Sequence, residues 1–347
     1  MTQKLPLAFA ADLHIHAYKA HSRLLDGLWN SRVHFAMHAL ANVCAIAKQN
    51  EAMDIILAGD IFHVRGALRP STLTSTITML KRLIGRGHRF WIIPGNHDME
   101  GSSAEWATSV DSLSGLLGAV TVFKEPTNTL VGGHRIAFIP YTHDIETFKK
   151  LVKAYDGSVD IIVCHQGIDD FKPMAGMPDT GLSAKWLAEN FSGEIYAGHY
   201  HSPAINGRIA QIGSMTQLDF GDEGSTRGVL IRSDAGVALH EVRHPKFLTI
   251  DITANGKVML PSPSEVKGNF IRIVSKSAKD AATAKALCTD YGAESITIQL
   301  VREFSKAKTE TIKITTPAQM ISDYIDIMPK LAPFKTKILK EYERIMS

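Results

Sequence analysis

The chain has 347 residues, 45% of them apolar and 21% charged, with 38 Lys plus Arg against 35 Asp plus Glu. That length predicts more than one domain, and so ordinary a composition excludes a disordered or low-complexity chain. No apolar run reaches the ~20 residues of a spanning helix, and three scattered cysteines without a CxxC pair exclude a disulfide framework or thiolate zinc knot, so a cytoplasmic protein with no membrane association is expected.

The first apolar run, residues 5–11, ends in Asp12-Leu13-His14. A stretch with helical spacing follows (Phe35, Leu40, Val43, Cys44, Ala47), then a run at 54–58 that ends in Gly59-Asp60-Ile61-Phe62-His63. A second helical stretch (Leu73, Ile77, Leu80, Leu83, Ile84) leads to a run at 90–93 and Gly95-Asn96-His97-Asp98. Further runs occupy 136–139, 160–163 and 195–197, the last two followed by Cys164-His165 and Gly198-His199-Tyr200-His201. Short runs of Ile, Val, Phe and Ala flanked by Gly, Asn, Asp and Pro read as buried strands. Strands alternating with helices predict a layered α/β sheet covered on both faces, whose ligands sit in the loops after the strands.

Beyond residue 245 the pattern predicts a strand at 269–275, a helix at 278–291 and a strand at 295–301, a small β-α-β unit. Pro317 then opens a helical region interrupted by Pro329 and Pro333, in which Phe334, Ile338, Tyr342, Ile345 and Met346 share a stripe. Residues 245–347 hold 16 Lys plus Arg against 11 Asp plus Glu, an excess that permits a phosphate-backbone partner without demanding one.

The segments after the strands supply enough hard and borderline donors for two divalent ions. Two cations about 3.5–4 Å apart need a bridging carboxylate, and Asp60 is given that place. Asp12, His14 and His201 are assigned to one ion, and Asn96, His165 and His199 to the other, each set sharing Asp60. Imidazole with carboxylate suits manganese, iron or zinc more than magnesium or calcium. His97, next to Asn96, is the expected general acid, with Asp98 as its orienting partner. Other residues take plainer readings. His34 and His38 lack a nearby acid and read as a surface pair; His88 and His134 adjoin Arg and are expected to face solvent. The cluster Lys81, Arg82, Arg86, His88 and Arg89 reads as a solvated helix exit, and Cys44 and Cys164 as small core residues.

Together DxH, GDxxH, GNHD, an apolar strand ending in His, and GHxH resemble the signature of calcineurin-like metallophosphoesterases. Within these the chain resembles the SbcD-type nuclease subunit of double-strand-break repair complexes. Arg69-Pro70-Ser71-Thr72 is similar to that group's helix start after GDxFH. Ile212-Gly213-Ser214 through Leu218-Asp219-Phe220, Glu223 and Arg227-Gly228-Val229 is similar to its GS…F…E…KG hairpin, and the β-α-β region lies where its DNA-capping domain lies.

The resemblance implies a metallophosphoesterase β-sandwich flanked by helices over 1–245, a small α+β capping domain over 246–315, and C-terminal helices over 316–347 as an ATPase-docking element. It implies Asp12, His14, Asp60, Asn96, His165, His199 and His201 as ligands, His97 as catalytic donor, and His63 as the residue that positions the scissile phosphate. The implied activity is that of a manganese-dependent DNA nuclease, a 3′–5′ exonuclease and single-strand endonuclease of repair or recombination. The implied assembly is a homodimer working with an SMC-like ABC ATPase of the SbcC type, in a bacterial cytosol or, for a phage-encoded member, that of the host. Two positions depart from the pattern: Cys164 precedes His165, and His16 stands where a small residue often follows DxH. Two alternatives share the core: a small-substrate phosphodiesterase or phosphomonoesterase, and a catalytically silent scaffold.

Overall fold

The computed structural model describes residues 4–26, 29–101, 107–172, 177–253, 261–301, 316–328 and 330–346. They fall into two compact units, Met1–Val301 and Arg302–Ser347. Residues 254–260 and 302–315 of the expected capping region lie outside the described residues.

The expected strands form in the first unit, and residues 7–10, 54–58, 136–139, 161–165 and 195–198 are buried throughout. β1 (Leu7–Ala10), β4 (Asp54–Ala58), β5 (Arg89–Ile93) and β6 (Val120–Val122) pair in parallel, and the hairpin of β13 (Gly228–Ser233) and β14 (Gly236–Glu241) adds antiparallel to β1, giving the order β14-β13-β1-β4-β5-β6. A second sheet of β7 (Thr127–Val131), β8 (His134–Ile139), β9 (Ile161–His165), β10 (Glu194–Gly198), β11 (Ala204–Asn206) and β12 (Ile209–Gln211) has the order β11-β12-β10-β9-β8-β7. A minimal ladder, β2 (Leu24–Leu25) with β3 (Trp29–Asn30), precedes the first helix.

Alternation along the strands sorts residues between layers. Leu7, Phe9, Ile56 and Ala58 face Ile136, Phe138, Ile161, Val163 and Tyr196 between the two sheets. Ala8, Ala10, Ile55 and Leu57 face α1 (Ser31–Gln49) and α2 (Pro70–Ile84), while Ala137, Ile162 and Ala197 face α3 (Ile145–Tyr155) and α4 (Ala184–Asn190). The result is a four-layer α/β/β/α sandwich, as expected of the fold class. Its middle is marked by Phe9 and Tyr196, whose rings stack 3.8 Å apart.

β15 (Phe247–Asp251), β16 (Phe270–Ser275) and β17 (Ser295–Leu300) form a small parallel sheet, with α5 (Pro263–Val266) and α6 (Ala278–Asp290) alongside. Its core is Ile250, Ile271, Ile273, Ala281, Ala284 and Cys288. β15 is a strand the pattern of residues does not announce. The 212–229 stretch, expected as a hairpin, is instead a loop with a short 3-10 turn at Phe220–Asp222, and strand begins only at Gly228. This loop fastens the small sheet: Gln217 Oε1 accepts from Phe247 N at 2.8 Å, and Glu223 accepts from the Thr249 N–H and hydroxyl.

His88 and His134 are 2% and 0% exposed, contrary to the expectation that they face solvent. His134 is buried because its Nε2 donates to the Leu5 carbonyl at 3.0 Å across the sheets. Arg89 is held at the start of β5 by Asp54, at 2.7 Å, which places that end of the basic cluster at the far end of the strand from the GNHD loop.

The second unit contains α7 (Pro317–Ile327) and α8 (Lys335–Met346), tied by an ion pair of Lys335 with Asp326 at 2.6 Å. Met320, Tyr324, Met328 and Phe334 are exposed; Ile345 and Met346, expected on the stripe, lie outside the described side chains. Among the described residues no helix is long and apolar enough to cross a membrane.

Candidate metal centre

The loops after β1, β4, β5, β9 and β10 meet at one end of the sandwich. Beyond the strands the β1 and β4 chains stay paired: the N–H groups of Asp12, His14 and Ile15 donate to Gly59, Asp60 and Ile61 carbonyls at 2.9–3.1 Å. Asp12, His14, Asp60 and His199 hold left-handed backbone conformations, with φ of 50°, 43°, 52° and 95°. Such strain in non-glycine residues collects at functional sites and persists only where surrounding structure enforces it. Gly59 also has positive φ, and a Cβ there would overlap His165 Nδ1; one at Gly95 would overlap the Asp60 carboxylate. These two glycines let the Asp60 and Asn96 loops close on His165.

All seven expected ligands converge. His14 Nε2 lies 3.2 Å from His201 Nε2 and 3.6 Å from Asp60 Oδ2. On the other side Asp60 Oδ2 lies 3.4 Å from His165 Nε2, and Asn96 Oδ1 is 3.2 Å from His165 Nε2 and 3.0 Å from His199 Nδ1. Asp12 falls with His14 and His201 in one compact donor set and with Asp60 and His165 in another. Its carboxylate accepts from His199 N at 3.1 Å. His165 Nδ1 donates to the Ala58 carbonyl at 2.7 Å, which fixes the tautomer and leaves Nε2 for the site. Imidazole nitrogens and carboxylate oxygens brought together this way oppose their lone pairs, an arrangement a cation between them relieves, so the donor set fits divalent ions.

The electrostatics agree. Burial pushes His14 down to about 2 and His199 down to about 4, so both imidazoles are neutral near pH 7 and ready to coordinate. His165 goes the other way: burial alone would lower it, but the Asp60 charge beside it wins and lifts it to about 9. Burial would raise Asp60 too, yet His165 holds its carboxyl well below the usual carboxylate range, while Asp12 is raised by burial. A cation therefore finds His165 protonated below pH 9 and must displace that proton. Manganese affinity is expected to climb about tenfold per pH unit between about pH 6 and 9 for each proton displaced. Calorimetry in buffers of different ionisation enthalpy measures the release; binding that releases no proton at pH 7 would contradict the assigned charge state.

His97 and His63 flank the open side of this cluster. His97 Nδ1 donates to the His63 carbonyl at 2.7 Å, leaving Nε2 as its other ring nitrogen, and its backbone N–H donates to Asp60 Oδ1 at 2.8 Å. The His63 ring stacks on His97 at 5.3 Å, and its Nδ1 lies 3.2 Å from His14 Nδ1.

Asp98, expected to orient His97, has a different task. Its carboxylate accepts from the backbone N–H of Ile61, Phe62 and Gly95 at 3.1, 2.9 and 3.0 Å, and from the Ser109 hydroxyl. It is 1% exposed and cross-links two ligand loops; the His63 carbonyl orients His97 instead. Asp98→Ala strands three buried N–H groups, which at about 1–3 kcal/mol each predicts a loss of about 3 kcal/mol or more in a urea denaturation midpoint series. A loss below about 1 kcal/mol would contradict the cross-linking role.

Three residues at the centre had no assignment from the sequence. Tyr141 follows β8 as the ligands follow their strands, and its ring stacks on His199 at 5.8 Å while its hydroxyl meets His143 Nδ1 at 3.2 Å. Buried Arg227 donates to the His201 carbonyl and pairs with Asp222 at 2.6 Å. Tyr18 donates to the His14 carbonyl at 3.3 Å. His21 sits away from the centre, against Ser295 and Phe247 of the small sheet. His34 and His38 are an exposed pair, rings 4.3 Å apart, and Cys44 and Cys164 are core residues, 1% exposed.

The family profile described as calcineurin-like phosphoesterase matches residues 5–222. Exonuclease subunit 1 of Enterobacteria phage T4 is 22% identical over 303 residues, 85% of this chain and 87% of that protein. Among solved structures, Pseudomonas putida nuclease MPE aligns over 58% of this chain and 65% of its own, under two thirds of it, at 20% identity and a TM-score of 0.27. A dimetal phosphatase from Danio rerio aligns over 65% of this chain and 91% of its own, at 11% identity and a TM-score of 0.42.

Proposed function

The chain belongs to the calcineurin-like phosphoesterase family, and from that premise we propose that it is the nuclease subunit of a DNA repair or recombination complex, cutting phosphodiester bonds with two divalent ions. The observation that carries the reading is the convergence of six donors from both sheets around Asp60, with two further histidines on the open side. DNA as substrate is supported by the relative named as an exonuclease subunit, matched over most of both chains.

In this reading Asp12, His14, His201 and Asp60 hold one ion, and Asp60, Asn96, His165 and His199 the other. Bound there, divalent ions supply Lewis acidity and lower the pKa of water near the phosphate. Manganese is the proposed ion because the SbcD-type nucleases that the chain resembles imply it; the donor set, imidazole with carboxylate, suits iron and zinc as well. His97 presents Nε2 to the departing oxygen and delivers its proton, and His63, stacked against it, positions the phosphate. The Asp98 cross-link holds these loops in place.

Residues 246–315 are proposed to cap bound DNA and 316–347 to dock an SMC-like ABC ATPase, the exposed Met320, Tyr324 and Phe334 serving that contact. A homodimer and a cytoplasmic setting complete the proposal. The test is a 3′-labelled DNA duplex with manganese, beside p-nitrophenyl phosphate. Cleavage of the duplex supports the reading; hydrolysis of the small ester alone would overturn it in favour of a small-substrate phosphoesterase.

A further inference from the structure

Beyond His14, which is 3% exposed, the chain alternates: Ile15 and Ala17 are buried, at 1% and 5% exposure, while His16 and Tyr18 are half-buried. Residues two apart on such a stretch share a face, which sets His16 and Tyr18 beside His14. All three gather around the His63 ring, with centroids 5.1 Å away for His14, 5.4 Å for His16 and 5.1 Å for Tyr18.

Tyr18 is fixed from behind. The Arg32 guanidinium lies over its ring at 4.6 Å, its hydroxyl donates to the His14 carbonyl, and its own carbonyl accepts from Asn30 Nδ2 at 2.8 Å and the Ser22 hydroxyl at 2.6 Å. His16 stands in front, half-buried, its ring edge-on to Tyr18 at 4.9 Å and 87°. Among the described residues His16 makes no hydrogen bond, although it touches two rings. It therefore keeps a free imidazole edge and a ring face beside the residue that fronts the metal centre. Arg69, the exposed residue at the start of α2, adds positive charge on the same side.

We propose that His16, backed by Tyr18, is a specificity residue that packs against the nucleoside next to the scissile phosphate. This rests on the reading of the site as a phosphodiesterase acting on nucleic acid. Ring-on-base contact tolerates any base, since every base offers a π face, and an imidazole N–H adds a donor for a base or sugar oxygen. A small diester whose second group is a methyl has nothing to place there.

The experiment compares thymidine 5′-(p-nitrophenyl phosphate) and thymidine 3′-(p-nitrophenyl phosphate) with methyl p-nitrophenyl phosphate, whose second ester group has no ring, in manganese, for the full chain and for His16→Ala and His16→Phe. In His16→Ala the kcat/KM of one thymidine ester relative to methyl p-nitrophenyl phosphate is expected to fall about tenfold, mostly through KM. His16→Phe, which keeps a ring, is expected to recover most of that ratio. Equal losses on all three esters would assign His16 to supporting His63 and overturn the proposal, as would no change on any. If the wild type cuts no DNA while the His16 effect on a thymidine ester persists, the nuclease reading falls and the nucleoside subsite stands. If DNA is cut and His16 has no effect on either thymidine ester, the nuclease reading stands and the subsite falls.

Discussion

Asp60→Asn is expected to leave a folded protein that binds neither ion and hydrolyses its substrate about three orders of magnitude more slowly, or worse. Asp60 Oδ2 is the oxygen that approaches both His14 and His165, at 3.6 and 3.4 Å, so in the two-ion reading proposed above losing its charge removes the ligand both ions would share. Oδ1 accepts the His97 N–H at 2.8 Å, and an amide oxygen can keep that bond. The Asn variant thus separates charge from loop architecture better than Ala does. A second change follows in the metal-free protein. His165 is raised to about 9 because Asp60 outweighs the effect of burial; without that charge only Asp12 and the Ala58 carbonyl oppose burial, and its titration is expected to move to lower pH. Manganese calorimetry and histidine NMR check the two parts. Retention of either ion at wild-type affinity would overturn the bridging role.

His97→Ala is expected to give the opposite pattern, with both ions bound and turnover on DNA lowered about 10²–10⁴-fold. A proton donor matters in proportion to how poorly the departing oxygen leaves. A sugar alkoxide needs the proton; p-nitrophenolate leaves largely without it. The loss is therefore expected to be far smaller on bis(p-nitrophenyl) phosphate than on DNA. Equal losses on both substrates would mean that His97 stabilises charge on the phosphoryl group itself rather than protonating the leaving group.

The convergence of the expected ligands was legible because each follows an apolar run by one to four residues, and parallel strands align their ends. Asp12, Asp60 and Asn96 come from one sheet, and His165, His199 and His201 from the other. What sequence could not convey is the partner of a polar group when that partner is backbone. Asp98 beside His97 reads as a catalytic pair, yet its acceptors are used by the N–H groups of a loop almost forty residues earlier and of Gly95. His134 beside Arg135 reads as surface for the same reason, the Leu5 carbonyl being invisible in a string of letters. Tyr141 carried a usable signal, since it too follows a strand. A single aromatic residue after Ile139-Pro140 nonetheless matches no ligand chemistry. β15 escaped because Phe247–Asp251 borrows its edge from β16 and shows no alternation of its own.

Because the donors are divided between the two sheets, the gap between those sheets is also the gap between the halves of the reactive centre. The stacked Phe9 and Tyr196 help set that spacing. If the donors hold ions as proposed, a core change of one methylene there is expected to alter their reach, and with it the rate, without touching a single ligand.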